Sequence, residues 1–184
     1  MRLVCFGDSN TYGYDPRSFF GGRYPAECRW TDLLAERTGL EVVNLGQNGR
    51  EIPASTGSLA GLLRRDDLLV VMLGSNDLLC HTGFTTGNVA VRMEGFLKTL
   101  PPCRVLLVAP PPMAPGEWVT EKRLLSESAA LAGEYESLAL RLGIDFADAG
   151  QWGVELAFDG VHFSENGHRA FAKGIQEVLS CSLG

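Results

Sequence analysis

Asp67-Leu68-Leu69-Val70-Val71-Met72-Leu73 is apolar at six consecutive positions and does not alternate. A strand with one wet face would alternate. A strand apolar on both faces belongs in the middle of a parallel sheet covered by helices on each side. Four other short apolar runs read as strands: Arg2–Phe6, Glu41–Leu45, Arg104–Ala109 and Ile144–Ala147. Segments of helical period lie between them. Trp30, Leu33, Leu34 and Arg37 share one helix face; Val89, Met93, Phe96, Leu97 and Leu100 share another. Leu124, Ser128, Leu131, Tyr135, Leu138 and Leu142 trace a long helix. Phe171, Ile175, Val178 and Leu179 line the last one, with Ser164 as its N-cap. Leu59, Leu62 and Leu63 suggest a shorter helix. Strand–helix alternation of this kind predicts a three-layer α/β/α fold with a central five-stranded parallel sheet, in the flavodoxin-like order 2-1-3-4-5. Residues 78–87 and the proline-rich stretch 109–116 read as irregular, and loops of this kind commonly wall a site.

The chain has 184 residues, 45% of them apolar and 21% charged, with no internal repeat and no linker, so a single domain over 1–184 is expected. The net charge is −6 with both signs interspersed, which argues against nucleic acid as a partner. No apolar run approaches the ~20 residues of a membrane span, and no membrane association is expected. Arg2 is followed by only four apolar residues before Gly7-Asp8, so no signal peptide is expected. The five cysteines, Cys5, Cys28, Cys80, Cys103 and Cys181, are scattered without a C-x-x-C. They read as reduced thiols of a cytoplasmic protein, not as a disulfide framework or zinc site.

An open α/β sheet places its ligands at the carboxyl ends of its strands. Four small-polar clusters fall there or near it. They are Gly7-Asp8-Ser9, Asn44-Leu45-Gly46 followed by Gln47-Asn48-Gly49-Arg50, Gly74-Ser75-Asn76-Asp77, and Asp159-Gly160-Val161-His162 just before the last helix. A serine hydroxyl is a weak nucleophile that needs a base, and a histidine oriented by a carboxylate supplies one. Asp159 and His162 are three apart, close enough to share one side of a turn. The backbone N–H groups of Ser9 and Gly46 and the amide of Asn76 could converge on an oxyanion. Asp8 and Asp77 read as structural braces of their own turns.

Those four motifs, in that order, resemble the SGNH (GDSL-type) hydrolases over nearly the whole chain. The resemblance implies Ser9 as nucleophile, His162 as base, Asp159 as its partner, and Ser9, Gly46 and Asn76 as the oxyanion hole. The further matches S-N-T-Y-G-Y-D-P, R-W-T-D-L-L-A and D-G-V-H-F-S-E-N-G-H resemble the arylesterase/acyltransferase branch, which handles small acyl esters. Asn10 stands where many members carry Leu, and Tyr12 where this branch often carries Trp. Relatives in the branch often assemble, so a homo-oligomer is left open.

The function expected is a cofactor-independent, metal-free serine esterase for acetyl to butyryl esters, with acyl transfer as a side activity. Its partner would be a small-molecule ester. A carbohydrate acetyl-ester deacetylase of the same fold is the alternative. A metal-dependent phosphoesterase built on Asp8, Asp77, Asp159, His162 and His168 is a further rival, but it leaves Ser9, Gly46 and Asn76 without roles. Tyr12, Arg50 and His81 are the candidate substrate contacts. The plainer readings are a surface arginine for Arg50 and a solvated loop histidine for His81. Phe84, Met113 and Trp118 could line an acyl pocket or simply anchor their loops. His168 reads as a surface or helix-face residue of the last helix.

Overall fold

In the computed structural model, which describes residues 2–18 and 20–183, the apolar run at 68–73 becomes the central strand of the sheet. The strands are β1 (Arg2–Gly7), β2 (Glu41–Gly46), β3 (Leu68–Met72), β4 (Arg104–Ala109) and β5 (Asp145–Asp148). They are all parallel and lie in the order β2-β1-β3-β4-β5. The period of two along β3 divides its side chains between two cores. Leu69, Val71 and, just past the strand, Leu73 enter one with Phe96, Leu131 and Tyr135. Leu68, Val70 and Met72 enter the other with Trp30, Phe163 and Phe171. Both faces of β3 are therefore dry, which is why its sequence does not alternate.

The helices are α1 (Ser9–Tyr12), α2 (Trp30–Thr38), α3 (Ser75–Cys80), α4 (Thr86–Leu97), α5 (Lys122–Leu142) and α6 (Glu165–Leu183). Helices α4 and α5 contribute to the first core, α2 and α6 to the second. Ser164 sits directly before α6, and its hydroxyl accepts the N–H of Gly167, the bond expected of an N-cap. Three segments differ from the sequence reading. Leu59 belongs to a 3₁₀ turn over Gly57–Gly61, and Leu62 lies beyond it, 54% exposed. Helix α4 stops at Leu97, so Leu100 packs from the following turn. The stretch 78–87 is not irregular throughout, because α3 runs to Cys80 and α4 begins at Thr86 behind a Thr85–Asn88 capping box. The polar Gly-Ser-Asn-Asp cluster conceals the start of α3, while Leu78 is its buried anchor. Among the described residues no helix is long and apolar enough to cross a membrane.

His168 is not at the surface. It is fully buried in the second core, with Tyr24 and Phe163 packed in edge contacts and Nδ1 accepting the Trp30 N–H at 3.4 Å. Burial, helped by the positive charges of Arg29 and His162, pushes its pKa down to about 3 from 6.5. Well above pH 6.5 neither the folded nor the unfolded chain protonates this ring. Below 6.5 the unfolded chain takes up a proton that the folded one refuses, so stability is lost as the pH falls towards 3. From pH 7.5 to pH 5 this group removes about 2 kcal/mol. Urea unfolding at both values should show the wild type losing that much more than His168→Phe; parallel losses would refute the assignment.

Candidate active site

The site is assembled at the carboxyl ends of β1, β2 and β3. β1 ends on Gly7, and Asp8 caps the single turn α1 by accepting the Asn10 N–H at 2.9 Å. Ser9 is thereby the first residue of that turn. Its N–H, like every first-turn N–H, has no intrahelical acceptor. Gly7 pairs with Gly46 of β2, and α1 lies against the pair. A Cβ on Gly46 would stand 2.0 Å from the Tyr12 nitrogen, so only glycine admits the crossing.

His162 arrives from the turn before α6. Its Nε2 lies 2.9 Å from Ser9 Oγ and its Nδ1 lies 2.6 Å from Asp159 Oδ2. Asp159 Oδ1 accepts the backbone N–H groups of Val161 and His162, each at 2.9 Å. All three side chains are buried. Burial pushes the Asp159 carboxyl up, but the His162 ring and those two N–H donors outweigh it and hold the group below its ordinary value. The Asp8 carboxyl has fewer donors, and burial pushes it up to about 6 against the Asn10 N–H and the charges of His162 and Arg50. The rings of Tyr14 and Trp118 flank His162 at centroid distances of 4.6 and 4.9 Å. Trp118 is held by the proline-rich loop, whose end is tied to the 158–160 turn by bonds from Glu117 and Trp118 N–H to the Phe158 and Asp159 carbonyls.

A cavity of about 240 Å³ opens over these groups, lined by Ser9, Tyr14, Asn48, Gly49, Asn76, Trp118 and His162. A second hollow of similar size, around Leu97, Pro101, Pro102 and Ile144, is lined mainly by apolar side chains and holds none of this chemistry. Asn76 Nδ2 donates one proton to the Arg50 carbonyl at 3.1 Å, which leaves its second proton for the cavity. Gly46, expected to supply the other donor, does not line the cavity; its N–H is already given to Asn44 Oδ1 at 2.8 Å. The loop must run three residues further to reach Ser9. The glycine at the cavity is Gly49, with φ +70° and an N–H that finds no acceptor among the described residues. The sequence signal for it is the second glycine of N-L-G-Q-N-G.

The three candidate substrate contacts lie elsewhere. The Tyr12 ring lies under the Arg23 guanidinium, 4.4 Å from it, and Tyr14, two residues on, takes the place at the cavity. Arg50 lies over Phe6 and donates to the carbonyls of Gly7 and Leu45 and to Gln47 Oε1, strapping the loop to the strand ends. His81 lies roughly a turn and a half past Asn76. It pairs with Glu51 at 2.6 Å and stacks on Phe84. Arg92 completes that brace by donating to Glu51 Oε2 and the Ile52 carbonyl and by pairing with Asp77. Asp77 also accepts the Ile52 N–H, so its bonds are long-range and not those of a local turn. Met113 is a buried core residue, and of the three loop apolars only Trp118 reaches the cavity. The metal rival's five residues are not gathered: His168 sits in the second core and Asp77 is paired with Arg92. No group of three His, Cys, Asp or Glu among the described residues is placed to hold an ion.

The sequence profile of the GDSL-like lipase/acylhydrolase family matches residues 5–170. The chain belongs to that family. Among solved structures, this GDSL-like protein is similar to the carbohydrate acetylesterase Est24 from Sinorhizobium meliloti. The identity is 27%, the TM-score 0.83, and the match covers 98% of this chain and 99% of that one. It is also similar to the native aryl esterase of M. smegmatis, at 27% identity, TM-score 0.85 and 98% coverage of each chain. A member of the lipolytic G-D-S-L family from Veillonella parvula DSM 2008 shares the fold at 20% identity and TM-score 0.75, with 98% of each chain covered. None of the curated proteins compared with the chain matches it.

Proposed function

We propose that this GDSL-like family member is a serine esterase acting on small-acyl carboxylic esters through an acyl-enzyme. The observation that carries the reading is the continuous chain Ser9 Oγ–His162 Nε2, His162 Nδ1–Asp159 Oδ2, at 2.9 and 2.6 Å, opening on the cavity. Ser9 Oγ attacks the ester carbonyl while His162 Nε2 takes its proton, and Asp159 stabilises the imidazolium. The oxyanion is received by the Ser9 and Gly49 N–H groups and by the free proton of Asn76. His162 returns the proton to the leaving alcohol. Water, activated by the same ring, then cleaves the acyl-enzyme and regenerates the Ser9 hydroxyl. A second alcohol or a peroxide in place of water gives acyl transfer. No metal or cofactor has a role in these steps.

The cavity lies below the volume usual for drug-sized ligands, which favours acetyl to butyryl groups. Trp118, 51% exposed at the mouth, offers an aromatic face to the alcohol side. An acetylated sugar ring could lie on that face as well as an aryl group. This supports the carbohydrate deacetylase as a second reading, in keeping with the similarity to Est24.

The test is turnover of p-nitrophenyl acetate, butyrate and octanoate by wild type and Asn76→Ala. The wild type should favour acetate and butyrate over octanoate. The variant should lose roughly 10²–10³ in kcat with little change in KM. A change in KM alone would make Asn76 a substrate contact, and octanoate turned over as fast as acetate would sink the small-acyl reading.

A further inference from the structure

We infer that Asn10 is a positioning residue for the base: its side chain ties the nucleophile's helix to the backbone on both sides of His162. The inference rests on the reading of Ser9 and His162 given above.

Apart from the Nε2–Ser9 Oγ contact itself, two sets of bonds hold His162. The first is internal to its own turn. Asp159 takes the N–H groups of Val161 and His162 and faces Nδ1, while Ala157 N–H donates to the His162 carbonyl at 2.7 Å. These bonds lock the Asp159–His162 pair together, but none of them reaches β1 or α1. The second set comes from Asn10. Its Nδ2 donates to the Val161 carbonyl at 3.1 Å, and its Oδ1 accepts the Phe163 N–H at 2.8 Å. The two partners fix the amide's orientation, since a carbonyl requires the nitrogen and an N–H requires the oxygen. Asn10 is itself immobilised. Its N–H goes to Asp8 Oδ1 at 2.9 Å, its carbonyl takes the Trp30 indole N–H at 3.0 Å, and it is only 4% exposed. The residue next to Ser9 thus grips the peptide units before and after His162.

Without this grip the Asp–His pair would stay intact and shift as a unit against Ser9 Oγ. Misplacement of about 1 Å can cost on the order of 10²-fold in rate while substrate binding is spared. Leucine branches at the same carbon as asparagine and offers no hydrogen bond. Asn10→Leu therefore removes the tie at nearly constant shape.

The experiment measures kcat and KM on p-nitrophenyl acetate for wild type, Asn10→Leu, His162→Ala and the double variant, each corrected for the folded fraction by circular dichroism. If Asn10→Leu does not fold, Asn10→Ala replaces it. The expected result is a fall of roughly 10–100-fold in kcat for Asn10→Leu with KM little changed. The same substitution should cost nothing further in the His162→Ala background, where no base remains to position. Wild-type kcat in Asn10→Leu would overturn the inference, as would an equal loss in both backgrounds, which marks a general structural effect. If His162→Ala collapses turnover and Asn10→Leu does not, only the positioning role falls. If His162→Ala itself turns over normally, the base assignment falls and takes this inference with it.

Discussion

Ser9→Ala should lower kcat by roughly 10⁴–10⁶-fold and leave a residual rate above that of water, while a chelator should leave the wild type unchanged. The size follows from what the substitution removes. In the proposed mechanism Oγ is the attacking atom, and it is the only partner the described residues give His162 Nε2. The remaining apparatus survives. Asp8 caps α1 through the Asn10 N–H and not through the Ser9 hydroxyl, so the turn keeps its shape. Alanine favours that turn intrinsically. The Ser9 N–H, the Gly49 N–H and Asn76 would stay in place and, in the proposed mechanism, still polarise a bound carbonyl, which would supply the residual rate. The measurement is hydrolysis of p-nitrophenyl acetate by both proteins with and without chelator. Equal turnover in both would eliminate the serine mechanism. Turnover abolished by chelator in the wild type would return the metal phosphoesterase chemistry to contention.

The fold was legible because its strongest signals are local. Six apolar residues in a row at 68–73 can be buried on both faces only in a sheet covered twice, and the strand–helix alternation then leaves few topologies. The serine, the histidine and its carboxylate were legible because each sits in a short motif at the end of an element. What escaped depends on contacts between distant segments. Two glycines stand in Asn44-Leu45-Gly46-Gln47-Asn48-Gly49, and nothing local says which one turns towards Ser9. The choice follows from Arg50, which straps the loop to the ends of β1 and β2, and from Asn44, which consumes the Gly46 N–H. Arg50 itself read as a substrate contact because an arginine beside a polar loop looks free, whereas its guanidinium is occupied by two main-chain carbonyls and a side-chain amide. His168 read as a surface or helix-face residue because a histidine on an amphipathic helix usually is one. Tyr24 and Phe163, far from it in sequence or outside the helix, close over it. His81 misled for a related reason: the helix that carries Asn76 continues past it and delivers His81 to Glu51.

Asp159→Asn should reduce kcat by about 10⁴-fold without comparable change in KM, although it changes only one atom of a buried side chain. The hydrogen-bond pattern dictates this outcome. Asp159 Oδ1 accepts two backbone N–H groups at 2.9 Å, so in the variant the amide oxygen must occupy that position. The NH₂ is then forced into the place of Oδ2, 2.6 Å from His162 Nδ1. An amide nitrogen only donates, so Nδ1 becomes an acceptor and the ring proton moves to Nε2. Nε2 then presents a proton to Ser9 Oγ and cannot receive one. The backbone of the turn, its two N–H bonds and the cavity walls are all preserved, so substrate still binds. An isosteric change thus separates the orientation of the ring from its tautomer. The check is kcat and KM for the variant beside Asp159→Ala, which frees Nδ1 from any imposed donor. If the wrong tautomer is the cause, Asp159→Ala should retain as much activity as Asp159→Asn or more, despite removing the whole group. Wild-type kcat in Asp159→Asn would show that the carboxylate does not set the state of His162.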